Sequence, residues 1–212
     1  MPETGSINKR LPKVPTQQRS RERFEHILDC AEAILEEGEV EELSIYDVAE
    51  KAELQAQSVY RLFPSAVAIN YALAQRYLDK MADDITATKS NQTFTAWQDN
   101  FERDLQLTRE FYHAHPLALE LILGSSVSKD VRAADRANIA RLANSAMESL
   151  RGKDNLPNLP IQKLEIAIDI VDAIWSQSYY SHGEITDFYF KESFRAATSY
   201  LELYLPRYNA DE

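Results

Sequence analysis

Cysteine, glycine and long apolar runs are all scarce in this 212-residue chain, and each scarcity removes a class of protein. The one cysteine, Cys30, has no internal partner for a disulfide, and its place among apolar residues at helical spacing makes it a structural buried thiol. Five glycines leave no Gly-rich phosphate loop and, with eight prolines, no fibrous or low-complexity composition. The longest apolar runs, such as "PLALELILG", are too short to cross a bilayer. The amino terminus, "MPETGSINKRLPK", has no apolar core of a signal peptide, so a cytoplasmic protein without membrane association is expected. Histidine is also rare. Glu110 and His113 have the Glu-x-x-His spacing of di-iron helical bundles, a motif needed twice. The positions three before His26, His115 and His182 hold Arg23, Tyr112 and Tyr179, so the second half is missing. No serine lies in a nucleophile elbow. Neither catalysis, nor a cofactor, nor a metal is expected.

What is present is 44% apolar and 27% charged residues, a composition of compact helical proteins, in a chain long enough for one large or two small domains. The net charge of −11 opposes indiscriminate binding to nucleic acid, but the charge is unevenly placed. Residues 1–23 carry six cations (Lys9, Arg10, Lys13, Arg19, Arg21, Arg23) against Glu3 and Glu22, a local charge of +4 that leaves −15 for the remainder. A basic arm on an acidic body is either a solvated tail or a segment that lies along DNA.

Apolar spacing predicts only helices. The first begins at Arg19, buries Phe24, Ile27, Leu28, Ala31 and Leu35, and closes near Gly38. Ser44 with Asp47 has the form of a capping box for a short second helix that buries Val48 and Ala49 and ends around Ala52. A third runs through "AQSVYRLF" with Val59 and Phe63 inward and Leu54 at the corner, until Pro64 stops it. Ser65 can cap a long fourth helix carrying Ile69, Ala72, Leu73, Tyr77 and Met81, which leads into a larger unit without a break. Thr95 and Gln98 form a second candidate capping box for a helix to about His113, and Pro116 suits the first turn of the next. Further helices are expected over 129–150, 161–180 and 186–205.

A short helix, a tight turn and a second short helix, braced by a longer one, form a helix-turn-helix, whose second helix enters the major groove. The stretch from Arg19 to Leu73, including "ILDCA", "DVAEKA" and "SVYRLFPS", resembles the amino-terminal domain of the TetR/AcrR family of transcriptional regulators. The resemblance implies an all-α homodimer in three parts: a basic flexible arm over 1–18, a DNA-binding domain over 19–66, and an effector-binding and dimerisation domain over 67–212. It implies a regulator, expected to be a repressor, that leaves its double-stranded DNA operator when a small, largely apolar or aromatic effector binds. Carried over residue by residue, Ser58 and Tyr60 are hydroxyls that hold phosphate, and Ser44 and Tyr46 open helix two against the backbone. Gln55, Ala56, Gln57 and Arg61 face bases, where Gln pairs with adenine and Arg with guanine. Arg19 and Arg21 join the DNA-binding set from the basic segment.

Three departures from the family pattern bear on that reading. Glu53 stands where Gly is frequent in the turn, Gln55 where Ser caps helix three, and Leu62 and Ala66 replace phosphate-facing His and Lys. The missing cations weaken the grip on phosphate unless the basic arm restores them.

In the larger unit, Trp97, Phe101, Phe111, Tyr112, Trp175 and Tyr179 are the candidate effector contacts; their alternative role is ordinary core. Helix 161–180 has two apolar faces, one with Leu164, Ala167, Val171 and Trp175 and another with Ile166, Ile170, Ala173 and Ile174. Ile170, Ile174, Phe190, Phe194, Ala197 and Leu201 are the candidate dimer contacts, because pairing with a second subunit uses both faces at once. A helical interaction protein that has lost DNA binding is the main alternative.

Overall fold

The computed structural model describes residues 11–89, 96–124, 143 and 159–207. All regular structure among them is helical. The expected helix over 129–150 lies outside the described residues.

Helix α1, Gln18–Leu35, buries the five apolar residues that its 3.6-residue period places on one side, and Cys30 with them. Burial first, then the adjacent Asp29 carboxylate, pushes the Cys30 thiol up. After a 3-10 turn over Val40–Glu42, Ser44 caps α2, Ile45–Lys51, its Oγ accepting from the Tyr46 amide at 3.1 Å. Helix α3, Ala56–Leu62, ends because Phe63 before Pro64 is extended, at φ −124° and ψ 101°. The Phe63 ring then turns inward and stacks on Phe24 at 4.5 Å, which fixes α3 on α1.

Helix α4, Ala66–Lys89, is capped by Ser65, whose Oγ accepts from the Ala68 amide at 3.3 Å. Ile69, Leu73, Tyr77 and Met81 on it are buried. A charged clamp joins α4 to α1: Arg76 reaches Asp29 at 2.7 Å, Glu25 at 2.9 Å and Glu32 at 3.0 Å, while Tyr77 donates its hydroxyl to Glu32. The three-helix unit is thereby fastened to the helix that continues into the larger one.

Helix α5, Trp97–Ala114, starts with Ala96 at its cap; Thr95 lies outside the described residues. Gln98 is buried and donates to the Pro206 carbonyl at 3.2 Å, so it holds the carboxy-terminal segment and not a capping box. Pro116 opens α6, Pro116–Leu123, as its fixed φ and missing amide favour. Helices α7, Ile161–His182, and α8, Asp187–Leu201, form a hairpin. Its turn uses Gly183 at φ 74°, with Ser178 Oγ donating to the Glu184 carbonyl and accepting from the Thr186 amide. Arg109 of α5 holds this turn through the Ile185 carbonyl at 2.8 Å and Asp187 at 2.7 Å. That contact keeps the Asp187 carboxyl below the usual range.

Candidate nucleic-acid interface

The turn between α2 and α3 is closed by two backbone bonds, Glu53 N–H to the Glu50 carbonyl at 3.0 Å and Leu54 N–H to the Ala49 carbonyl at 2.9 Å. This is the six-to-one pairing of a helix that ends in a left-handed residue. That residue is Glu53, at φ 54°, a left-handed conformation that favours Gly. The turn forms with Glu at a conformational cost of about 1–2 kcal/mol.

With Val59 and Phe63 fully buried, the helical period turns Gln57, Tyr60 and Arg61 outward, and all three are exposed, as is Gln55 at the cap. Ala56 and Ser58 are half-buried at the margins. The front of α3 therefore offers two amides, a guanidinium and two hydroxyls on one ridge. Tyr60 meets Tyr46 of α2 edge-on at 6.2 Å. Partial desolvation first, then Tyr46, raises the Tyr60 phenol above its ordinary value. Ser44 is half-buried and occupied with the Tyr46 amide, which places that amide in the cap and not toward a ligand. Leu62 packs against the core, and Ala66 is the first residue of α4.

The basic segment departs from a free arm over its described part, 11–17. Lys13 N–H donates to the Leu62 carbonyl at 2.8 Å. Arg21, exposed and expected to meet DNA, directs Nη2 to the Thr16 carbonyl at 2.8 Å and Nε to the Pro15 carbonyl at 3.3 Å. Arg19 is exposed at the start of α1. No side-chain pattern announces the Lys13 contact, since it joins two backbones; only the charge of the segment was visible beforehand.

In the larger unit the six candidate effector residues fall into separate places. Phe111, Tyr112 and Trp175 are contiguous and buried: Tyr112 meets both other rings at 6.2–6.3 Å, and Trp175 Nε1 donates to Ser193 Oγ at 2.8 Å. Phe101 is buried against Phe194 at 6.3 Å, and Trp97 donates Nε1 to the Pro206 carbonyl at 2.8 Å. Tyr179 is half-buried, its phenol raised by burial and then by Glu120 and Glu41. Five of the six thus have core positions.

The candidate dimer contacts also divide. Phe190, Ala197 and Leu201 are buried within their own protomer, because that face of α8 packs on α7 and α5. They leave no surface for a second subunit. Ile170, Ile174 and Phe194 are half-buried. Among the described residues on or next to the hairpin, the apolar side chains left outward include Ile166 (41% exposed), Tyr180 (78%), Phe188 (66%), Leu203 (68%) and Tyr204 (39%). As for the Glu110–His113 pair, both are exposed: Glu110 accepts from Gln106 on its own helix at 2.9 Å, and His113 Nε2 faces the Ile185 carbonyl at 3.2 Å.

No protein-family model matches the chain, and no curated protein matches its sequence. Solved structures match its fold over most of its length. A TetR-family transcriptional regulator from Streptomyces coelicolor superposes with a TM-score of 0.61 at 21% identity, covering 87% of this chain and 98% of its own. The multidrug binding protein EbrR, solved with imidazole, gives 0.62 at 16% identity, covering 89% and 93%. SmeT, the repressor of the Stenotrophomonas maltophilia efflux pump SmeDEF, gives 0.52 at 16% identity, covering 89% and 94%. The chain has the fold of TetR-family transcriptional regulators, with an amino-terminal helix-turn-helix unit and a carboxy-terminal helical unit.

Proposed function

We propose that this protein is a sequence-specific, DNA-binding transcriptional regulator of the TetR family, acting as a homodimeric repressor that a small molecule releases. The observation that carries the reading is the ridge on α3: Gln57, Tyr60 and Arg61 point to solvent from a helix whose other side, Val59 and Phe63, is fully buried. Gln55 and Gln57 suit adenine and Arg61 suits guanine, while Ser58 and Tyr60 hold the flanking phosphates. The exposed apolar residues Ile166, Tyr180, Phe188 and Leu203 on or next to the α7–α8 hairpin support pairing through that hairpin. Two copies then read two half-sites of a near-palindrome.

Release by an effector rests on the larger unit. Binding there that favours a different separation of the two reading heads lowers DNA affinity by linkage, with a typical coupling of about 1–3 kcal/mol. Helix α4, fastened to α1 by Arg76, is the connecting lever. A multidrug binding protein and an efflux-pump repressor of the same fold support a small-molecule effector, and the aromatic content of the larger unit favours a largely apolar or aromatic one. Genome-wide footprinting with the purified protein tests the reading: protected inverted repeats support it, and uniform protection or none refutes it.

A further inference from the structure

The front of α3 has one cation, Arg61, and otherwise the neutral amides of Gln55 and Gln57 and the hydroxyls of Ser58 and Tyr60, on a chain of net charge −11. Hydroxyls position phosphate, but the salt-dependent part of the affinity comes from cations, so a protein of this balance gains from further cations held close to the reading helix. Residues 11–23 carry Lys13, Arg19, Arg21 and Arg23 against Glu22, a local charge of +3.

The segment 11–17 is tied at two points. At one, the Lys13 amide takes the Leu62 carbonyl, an acceptor that the end of α3 leaves without an intrahelical donor. At the other, the Arg21 guanidinium spans the Pro15 and Thr16 carbonyls from the first turn of α1. The two anchors sit on one body, because Phe24 of α1 stacks on Phe63 at the end of α3. Pro12 and Pro15 restrict the chain between and beside them. Lys13 itself is exposed, and its backbone is bonded to the residue that follows Arg61.

We infer that the segment 11–17 is a built strap that extends the DNA-binding face, with Lys13 as a phosphate ligand beside Arg61 and Arg21 as the positioning residue that holds the strap. This rests on the DNA-binding reading and deepens it. The ordering of the strap before DNA arrives lowers the entropic cost of using its charge, which a free tail would meet on binding. Arg21 contributes through geometry, since its Nε and Nη2 are engaged with carbonyls.

The test is the salt dependence of affinity for a duplex bearing the footprinted site and for a scrambled duplex, measured on the full chain. Lys13→Gln is expected to weaken both duplexes by the same factor and to reduce the log–log salt slope by about 0.9 per protomer, one phosphate contact. Arg21→Gln should give a comparable loss, and the double variant should lose no more slope than Lys13→Gln alone. A double variant losing about 1.8 per protomer overturns the positioning role, because Arg21 would then touch phosphate itself. An unchanged slope for Lys13→Gln, while Arg61→Gln weakens binding, overturns the strap and leaves the DNA-binding reading standing. Absence of any duplex binding by the unaltered protein overturns both.

Discussion

Replacing Trp175 separates the core role of the aromatic residues from an effector role more sharply than any other substitution. The side chain is 1% exposed, stacks toward Phe190 at 6.4 Å, meets Tyr112 edge-on at 6.2 Å, and donates to Ser193 Oγ at 2.8 Å. Truncation of a buried aromatic to Ala costs about 3–5 kcal/mol, and here the hydrogen bond adds roughly 1 kcal/mol. Trp175→Phe keeps a ring in the site. Ser193 still donates to the Phe190 carbonyl at 2.8 Å, so that variant is expected to lose about 2 kcal/mol. Urea denaturation followed by circular dichroism at fixed protein concentration reads both. An Ala variant within about 1 kcal/mol of the parent would refute the reasoning, because a ring that lines a ligand space can leave without opening a new cavity.

Other substitutions report on other parts. Glu53→Gly is expected to raise the melting temperature by roughly 1–3 °C, because relief of the left-handed strain outweighs the extra chain entropy of glycine by about 0.5–1 kcal/mol; a lower melting temperature would contradict the turn geometry. Arg76→Met should cost about 2 kcal/mol, between the values for exposed and buried pairs, since three α1 carboxylates lose their common partner. Glu120 is raised by burial first and then by Glu41 and Glu39. Its folded-state proton is therefore held more tightly than in the unfolded chain, so its contribution is favourable below the ordinary carboxylate range and is lost as pH rises through the raised value. Glu120→Gln should accordingly increase the urea midpoint at pH 7.5 and leave it nearly unchanged near pH 4; a decrease at pH 7.5 would show that the carboxylate has a compensating partner.

Much of the fold was legible because its boundaries are set by local chemistry. Pro64 makes Phe63 extended, Ser65 caps α4 and Pro116 opens α6, and none of these depends on distant residues. The exposed ridge on α3 was legible for the same reason, from the period of Val59 and Phe63 alone. Which apolar face of the last helix packs within its own protomer was not. Helix α8 is apolar on more than one side, and nothing in such a pattern says which side meets its own protomer; Phe190, Ala197 and Leu201 turned inward and Phe188 outward. Aromatic rings at helical spacing were equally silent about whether they line a space or fill it. Arg21 shows a third limit. Its charge was visible, but its partners are the backbone carbonyls of Pro15 and Thr16, which every residue possesses.

The central claim is that α3 reads base sequence, and parallel selections from a random duplex pool by the parent and by Gln57→Ala test it most directly. The account predicts that the parent enriches an inverted repeat. The variant should enrich the same repeat with one base pair per half-site relaxed, a loss of about 1–3 kcal/mol of discrimination there. A parent pool that stays random, or a variant that selects an identical motif at every position, would contradict it.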